Sequence, residues 1–257
     1  MSSTGIDSVA ITNLTQIHTS SGRTTHALDN INFTVPSGKF VSVVGPSGCG
    51  KSSLLMMLVG LATPSSGEIR VAGKPVHGPD PERIGVVFQE ANLFPWLTAR
   101  KNVEFPLALR GVAAGERERK ANEALGLVGL GEFADRYPHE LSGGMKQRVS
   151  IARGIVQDPE VLMMDEPFAA LDEQTRMVMG DELLQIWERT GKTIMFVTHS
   201  LTEAIYLSDH VIVLSARPGK IIDRIDIDLP RPRTFEMTSE PEFIKIRNRI
   251  WEQIRTA

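Results

Sequence analysis

The stretch that most constrains this chain is Val41–Leu55, VSVVGPSGCGKSSLL. A short apolar run of Val41, Val43 and Val44 meets a glycine-rich turn, Gly45-Pro46-Ser47-Gly48-Cys49-Gly50. The turn passes through Lys51-Ser52-Ser53 into a further apolar segment reaching Leu61. That order predicts a strand, a loop the size of a phosphate group and the start of a helix. It fulfils the pattern G-x-x-x-x-G-K-[ST] in the context the pattern requires. Glycines let successive backbone N–H groups turn inward, and the N-terminus of the following helix adds partial positive charge, so the loop suits a polyphosphate. Lys51 is placed to reach the β- and γ-phosphates, and the Ser52 hydroxyl to ligate Mg²⁺. Many unrelated NTPases share such a loop, which fixes the ligand class and leaves the task open.

With 257 residues the chain can form one large α/β domain or a domain with an inserted lobe. The formal net charge of -3 gives no reason to propose nucleic acid as a partner. Its single cysteine, Cys49, lies inside the phosphate loop. No intramolecular disulfide can therefore form, which fits a reducing cytosol, and the side chain reads as a small filler or a redox switch. The N-terminus, MSSTGIDSVA, lacks the basic and apolar regions of a signal peptide. No apolar run approaches the ~20 residues needed to cross a bilayer, so any membrane role is expected to act through a partner subunit.

Val9–Leu14 and Ile31–Val35 read as strands with a polar turn, His18–Arg23, between them, which predicts a small antiparallel β-subdomain. Pro64–Gly67 is a turn and Glu68–Val71 a short strand. Ile84–Phe88 reads as a buried strand ending at Gln89. Gln89 either leaves the sheet as an ordinary polar residue or stands where α/β sheets bind ligands, and both readings remain open. From Asn92 the strand signal disappears. Helices are expected over Ala99–Leu109, capped by Thr98 and bent at Pro106, then over Gly115–Leu127 and Gly129–Tyr137, so residues 92–158 read as an inserted helical lobe. Phe94 and Trp96 before them read as core or as a docking surface.

Ser142 precedes Gly143, Gly144 and a helix with the stripe Met145, Val149, Ala152 and Val156. It is a natural N-cap, and the capped end is either only that or a second anion cradle. Val161–Met164 is a buried strand ending in Asp165-Glu166-Pro167. Two adjacent carboxylates are costly to bury unless a cation or a reaction uses them. Asp165 is expected in the Mg²⁺ sphere and Glu166 as general base toward an attacking water. Asp172 can cap a helix beginning near Glu173. The strand Thr193–Val197 ends at Thr198-His199, making His199 a candidate sensor of the γ-phosphate. Val211–Leu214 and Lys220–Ile227 form a hairpin pattern around Arg217-Pro218-Gly219. Leu229–Arg233 reads as an extended linker to a helical stripe of Phe243, Ile246, Ile250, Trp251 and Ile254, expected to pack back on the sheet.

Taken in order, Gln89, the LSGGMKQR segment, VLMMDEP, ALD and Thr198-His199 closely resemble the ATP-binding subunits of ABC transporters over almost the whole chain. The resemblance implies an α/β phosphate-loop NTPase core with a mixed, largely parallel sheet, an antiparallel β-subdomain and a helical lobe. Residues 1–91 and 159–228 would form the core, 92–158 the lobe and 229–257 a C-terminal linker and helix. It implies ATP and Mg²⁺ as cofactors, and a head-to-tail dimer in which Ser142–Gly144 of one copy closes on the γ-phosphate held by Gly45–Ser53 of the other. Glu166 is then the catalytic base, His199 the switch histidine, Gln89 the residue sensing Mg²⁺ and the transmembrane partner, and Asp172 a contact across the dimer. The implied partner is a transmembrane permease served by a periplasmic binding protein, with this chain bound peripherally at the cytoplasmic face of the inner membrane. LFPWLT, DEPFAALD, the Ser215–Gly219 segment and the proline–arginine tail are similar to importers for nitrate, taurine and aliphatic sulfonates. Two departures stand out. His18 occupies the place where the family offers adenine an aromatic ring, and Ser53 stands where Thr is common. The rivals are a soluble ABC ATPase of the DNA-maintenance kind, which inserts long coiled coils or zinc modules absent here, and a non-hydrolysing regulatory module, against which Glu166 and His199 count.

Overall fold

The computed structural model describes residues 7–20 and 23–256. The chain divides into two units, Met1–Asp80 with Lys192–Ala257, and Pro81–Gly191.

In the first unit, β1 (Asp7–Ser20) and β2 (Arg23–Pro36) pair antiparallel, and β1 also pairs with β4 (Ser66–Val71), which carries the two-residue β5 (Lys74–Pro75). This is the expected antiparallel subdomain, with longer strands than the sequence predicts. His18 and Thr19 lie within β1 rather than in a turn, while Ser21 and Gly22 fall outside the described residues. Register shifts accompany left-handed Asn13 (φ 50°) and Asn30 (φ 52°), the residue type that tolerates such bulges. They let polar sequence continue as strand where alternation is lost.

The second sheet of this unit runs β10-β9-β3-β8, with β3 (Phe40–Val44) parallel to both β8 (Thr193–Val197) and β9 (His210–Leu214). β10 (Ile221–Asp226) closes on β9 as the expected antiparallel hairpin. β3 and β8 are buried along their whole length, as continuous apolar strands in a parallel arrangement must be. Helix α1 (Lys51–Leu58) touches β8, and α6 (Leu201–Leu207) packs on β3 and β9.

The C-terminal helix α7 (Pro241–Thr256) packs on α6 and β9 through Phe243 and Ile250. Trp251 points to solvent instead of joining the stripe. The linker before it is pinned, not free. Arg233 is 6% exposed, and its Nη1 donates to the carbonyls of Ile205, Tyr206 and Ser208 at 2.7–3.0 Å, while Nη2 reaches Ile227 O at 3.2 Å. A cation at the C-terminal end of α6 meets the negative pole of that helix. Burial, with a smaller push from Arg231, lowers its pKa to about 10, so it stays charged at neutral pH. Replacing Arg233 by Met should leave these carbonyls unpaired and lower unfolding stability by about 2–4 kcal/mol, read by denaturant titration.

In the second unit, β6 (Ile84–Val87) and β7 (Val161–Asp165) pair in parallel. Between them the described chain is helical: α2 (Ala99–Leu109), α3 (Ala114–Leu127) and α4 (Gly143–Ile155) pack on one another, and α4 also lies on β6. Thr98 caps α2 as expected, accepting from Lys101 N, and the helix runs through Pro106. The helix expected over Gly129–Tyr137 is reduced to a single 3₁₀ turn, Gly131–Phe133. Gly129, at φ 69°, and Pro138 leave too short a run for an α-helix. α5 (Glu173–Thr190) completes the unit, starting at its Asp172 cap. No described helix is long and apolar enough to cross a membrane.

Candidate nucleotide site

The phosphate loop leaves β3 and enters α1 at Lys51. Gly50 precedes the helix at φ 104°, a conformation open to glycine, and a Cβ there would lie 2.7 Å from Leu28 Cδ2. Lys51 is buried, and its Nζ donates to Gly45 O at 2.8 Å and Pro46 O at 3.1 Å. The loop thus curls around its own ammonium group and fixes a positive charge beside the N-terminus of α1. Cys49 is 1% exposed, and burial pushes its thiol pKa up against the opposing pull of Lys51. A protonated, enclosed thiol fits the filler reading and is poorly suited to redox switching. Ser52 is exposed in the first turn of α1.

His18 lies on β1 with Nε2 3.4 Å from Ser53 Oγ, which brings the imidazole to the first turn of α1. His199 follows β8, and the parallel register Val43↔Val197 sets it at the same sheet edge as Gly45. Its loop is held by Thr198, whose N–H donates to Val43 O (3.3 Å) and whose hydroxyl donates to Glu203 Oε2 (2.5 Å). The first unit therefore gathers the phosphate loop, His18 and His199.

In the second unit, the register Val87↔Met164 sets Gln89 and the pair Asp165-Glu166 at one edge of β6 and β7. Gln89 is exposed. Glu166 sits at φ 44°, a left-handed conformation that costs a long side chain of order 1–3 kcal/mol and persists only where the surroundings impose it. Such an outlier, on a carboxylate at a sheet edge, points to a functional position. Ser142 caps α4 by accepting from Met145 N at 3.3 Å. A Cβ on Gly144 would come within 3.0 Å of Thr175 Cγ2 in the first turn of α5, so the Ser142–Gly144 end and the Asp172 cap are neighbours. Asp172 accepts from Thr175 N (2.9 Å) and Thr175 Oγ1 (2.7 Å), and these hydrogen bonds hold its pKa below the usual carboxylate value.

Comparison with known proteins fits this geometry. The pattern of the family described as ABC transporter matches residues 28–169. The chain is 47% identical over 251 residues to the nitrate import ATP-binding protein of Synechocystis sp. (strain ATCC 27184 / PCC 6803 / Kazusa), covering 95% of this chain and 94% of that one. The chain belongs to the ABC transporter family. As a member it is an ATP-hydrolysing subunit with the cassette fold. It is also 45% identical over 236 residues, 89% of each chain, to the taurine import ATP-binding protein of Rhizobium johnstonii (strain DSM 114642 / LMG 32736 / 3841). Among solved structures it is similar to an ATP-binding cassette in a dimeric post-hydrolysis state bound to ADP and Pi, with a TM-score of 0.76 and 33% identity over 86% of this chain and 100% of that one.

This ABC ATPase also holds buried and half-buried polar contacts around the Gln89 loop that sequence reading passed over. Buried Gln147 on α4 donates from Nε2 to Phe88 O at 3.2 Å. Arg153, two turns further along α4, donates from Nη2 to Ala91 O at 2.6 Å and from Nη1 to Asn92 O at 2.9 Å. The loop carrying Gln89 is therefore tied by three carbonyls to the helix that begins at Ser142. Asn102, fully buried in α2, accepts from Phe94 N (2.7 Å) and donates to the carbonyls of Phe94, Leu97 and Thr98 at 3.0–3.2 Å. Phe94 rests on Phe105 with ring centroids 4.5 Å apart, while Trp96 is 70% exposed. The core reading of Trp96 is thereby excluded.

Proposed function

We propose that this chain is the ATP-hydrolysing subunit of a bacterial ABC importer, at the cytoplasmic face of the membrane. Two copies associate head to tail, with Ser142–Gly144 of one closing on the γ-phosphate held by Gly45–Ser53 of the other. The pair drives a transmembrane permease served by a periplasmic binding protein. The observation that carries the reading is that one chain holds two glycine-bearing helix starts, the loop curled around Lys51 and the Ser142-capped end of α4, each of a kind that can cradle an anion. ATP supplies negative charge that both cradles need, so binding stabilises the pair and hydrolysis releases it. A similar cassette solved as a dimer bound to ADP and Pi supports the pairing of two copies.

Within the site, Lys51 balances phosphate charge, and Glu166 takes the proton of the attacking water as general base. His199 contacts the γ-phosphate, and His18 stacks on the adenine with a smaller ring than Phe, Tyr or Trp would offer. Asp172 serves the facing copy while capping α5. The donors assigned to Mg²⁺, the Ser52 hydroxyl, the Gln89 amide oxygen and the Asp165 carboxylate, are all oxygens with one full charge. They suit a cation that keeps several waters and leans on phosphate oxygens. When bound, Mg²⁺ neutralises charge on the transferred phosphoryl group.

The helical lobe, residues 92–158, presents Trp96 on a loop that Asn102 holds in shape, a short stretch of chain after Gln89. A large exposed aromatic on an ordered loop suits a docking contact with the permease. Trp96→Glu is expected to raise the dissociation constant for the permease by about tenfold or more, measured with the permease in detergent or nanodiscs. Nitrate, taurine or another aliphatic sulfonate is the proposed cargo, because relatives named for nitrate and taurine import stand at 47% and 45% identity. ATP-driven uptake of these anions into proteoliposomes holding the chain and its permease tests the reading. Turnover stimulated by DNA, with no response to a permease, would instead favour the DNA-maintenance class.

A further inference from the structure

The segment Ser215–Gly219 has no role in the function described above. It lies against the outer side of the phosphate loop. Arg217 donates from Nε (3.2 Å) and Nη2 (3.0 Å) to the Gly48 carbonyl. Gly219 is buried, and a Cβ there would sit 2.1 Å from Cys49 O and 3.0 Å from Leu28 Cδ2. The position needs no left-handed backbone, so it is the loop carbonyl that excludes a side chain. The segment is anchored on its own account. Gly219 N–H donates to Ala27 O at 2.9 Å, and its carbonyl accepts from Asp29 N–H at 3.0 Å. Ser215 Oγ donates to Pro218 O at 3.0 Å and accepts from Lys220 N at 2.9 Å, while Lys220 pairs with Asp29 at 2.9 Å.

Of two consecutive loop carbonyls, that of Gly48 is thus bonded from outside and that of Cys49 abuts the side-chain-free Gly219. In a planar trans peptide the N–H points opposite to the C=O, so fixing these carbonyls outward turns the N–H groups of Cys49 and Gly50 the other way. The Cys49 N–H closes on Pro46 O at 3.3 Å and so braces the loop from within, while the Gly50 N–H, aimed away from Gly219, is left facing the cradle for phosphate. Affinity of a backbone nest for phosphate depends on such N–H groups being set before the ligand arrives. We propose that Arg217 and Gly219 form an outer buttress that presets the phosphate loop for nucleotide, with Arg217 a positioning residue that touches no ligand. The proposal rests on the reading of Gly45–Ser53 as a nucleotide cradle. Because the loop holds phosphates common to both nucleotides, ATP and ADP are affected alike.

The test titrates Mg-ATP and Mg-ADP into wild type, Arg217→Ala, Arg217→Lys and Gly219→Ala by calorimetry, alongside steady-state turnover and nucleotide-free melting. Arg217→Ala is expected to weaken both nucleotides about five- to tenfold, raising KM with kcat within about twofold of wild type. Arg217→Lys, which keeps a charged donor without the fork, regains about half of that loss on a logarithmic scale. Gly219→Ala weakens binding more than about tenfold, and the Arg217 variants melt within about 2 °C of wild type. Unchanged affinity in both Arg217→Ala and Gly219→Ala overturns the buttress, as does an affinity loss that merely tracks falling melting temperature. A fall in kcat at constant KM also overturns it. If wild type binds neither nucleotide, the cradle reading fails first; if wild type binds and the variants match it, the buttress alone is wrong.

Discussion

Replacing Glu166 by Gln is expected to lower ATP turnover by about 10²- to 10⁴-fold while leaving nucleotide affinity near wild type. The amide keeps the length and planar shape of the carboxylate but cannot accept the proton of an attacking water. Its backbone environment should also be unchanged, because the φ of 44° is imposed by the surroundings of β7 and by the following turn, where Ala169 N–H donates to Glu166 O at 3.1 Å. Folding stability is accordingly expected within about 0.5 kcal/mol of wild type. Turnover by phosphate release and affinity by equilibrium titration, measured on one preparation, separate the two effects. A variant hydrolysing at the wild-type rate would remove Glu166 from the role of base.

Arg153→Met is expected to act through the loop that carries Gln89. The guanidinium is largely desolvated, which lowers its pKa, and it is matched by two carbonyls that no thioether can satisfy. Loss of both bonds should cost about 2–3 kcal/mol of stability and free residues 88–92 to exchange their amides faster. Asn92, at φ 45°, lies within the released stretch. Turnover should fall about tenfold or more, since the loop and the Ser142 end of α4 no longer move as one body. Arg153→Lys should recover little, as a single ammonium group cannot span the Ala91 and Asn92 carbonyls as the planar fork does. Hydrogen exchange over residues 88–92 alongside steady-state kinetics checks both consequences.

The parts of the fold that were legible in the sequence are those written by local chemistry. The phosphate loop carries its glycines, Lys51 and Ser52 in consecutive positions, and the caps Thr98, Ser142 and Asp172 each bond three residues ahead. The parallel strands announce themselves as short, continuous apolar runs. What escaped sequence reading acts across the chain. Gln147 reaches 59 residues back to Phe88, Arg153 62 residues back to Ala91, and Arg217 169 residues back to Gly48. In each case the acceptor is a backbone carbonyl, which carries no residue signature, so an arginine of this kind reads as surface charge. The strained φ of Glu166 is equally silent, because nothing local in Asp-Glu-Pro asks for a left-handed glutamate. Residue type alone could not separate Trp96 from the core aromatics either; only the folding of its loop around Asn102 turns it outward.

The head-to-tail pairing of cradles is tested most directly by mixing two inactive copies, Lys51→Ala and Ser142→Glu. The first loses the phosphate contact of its own loop. The second sets a negative charge against the incoming γ-phosphate, while an acidic residue at a helix start keeps α4 folded. Each variant alone is expected to turn over ATP at least about 10²-fold more slowly than wild type. Half of randomly formed pairs are mixed, and each mixed pair keeps one intact site of two, so the equimolar mixture should regain about a quarter of wild-type turnover. A mixture no more active than the sum of its separate components, or a Ser142→Glu protein as active as wild type, would contradict a site built from two copies.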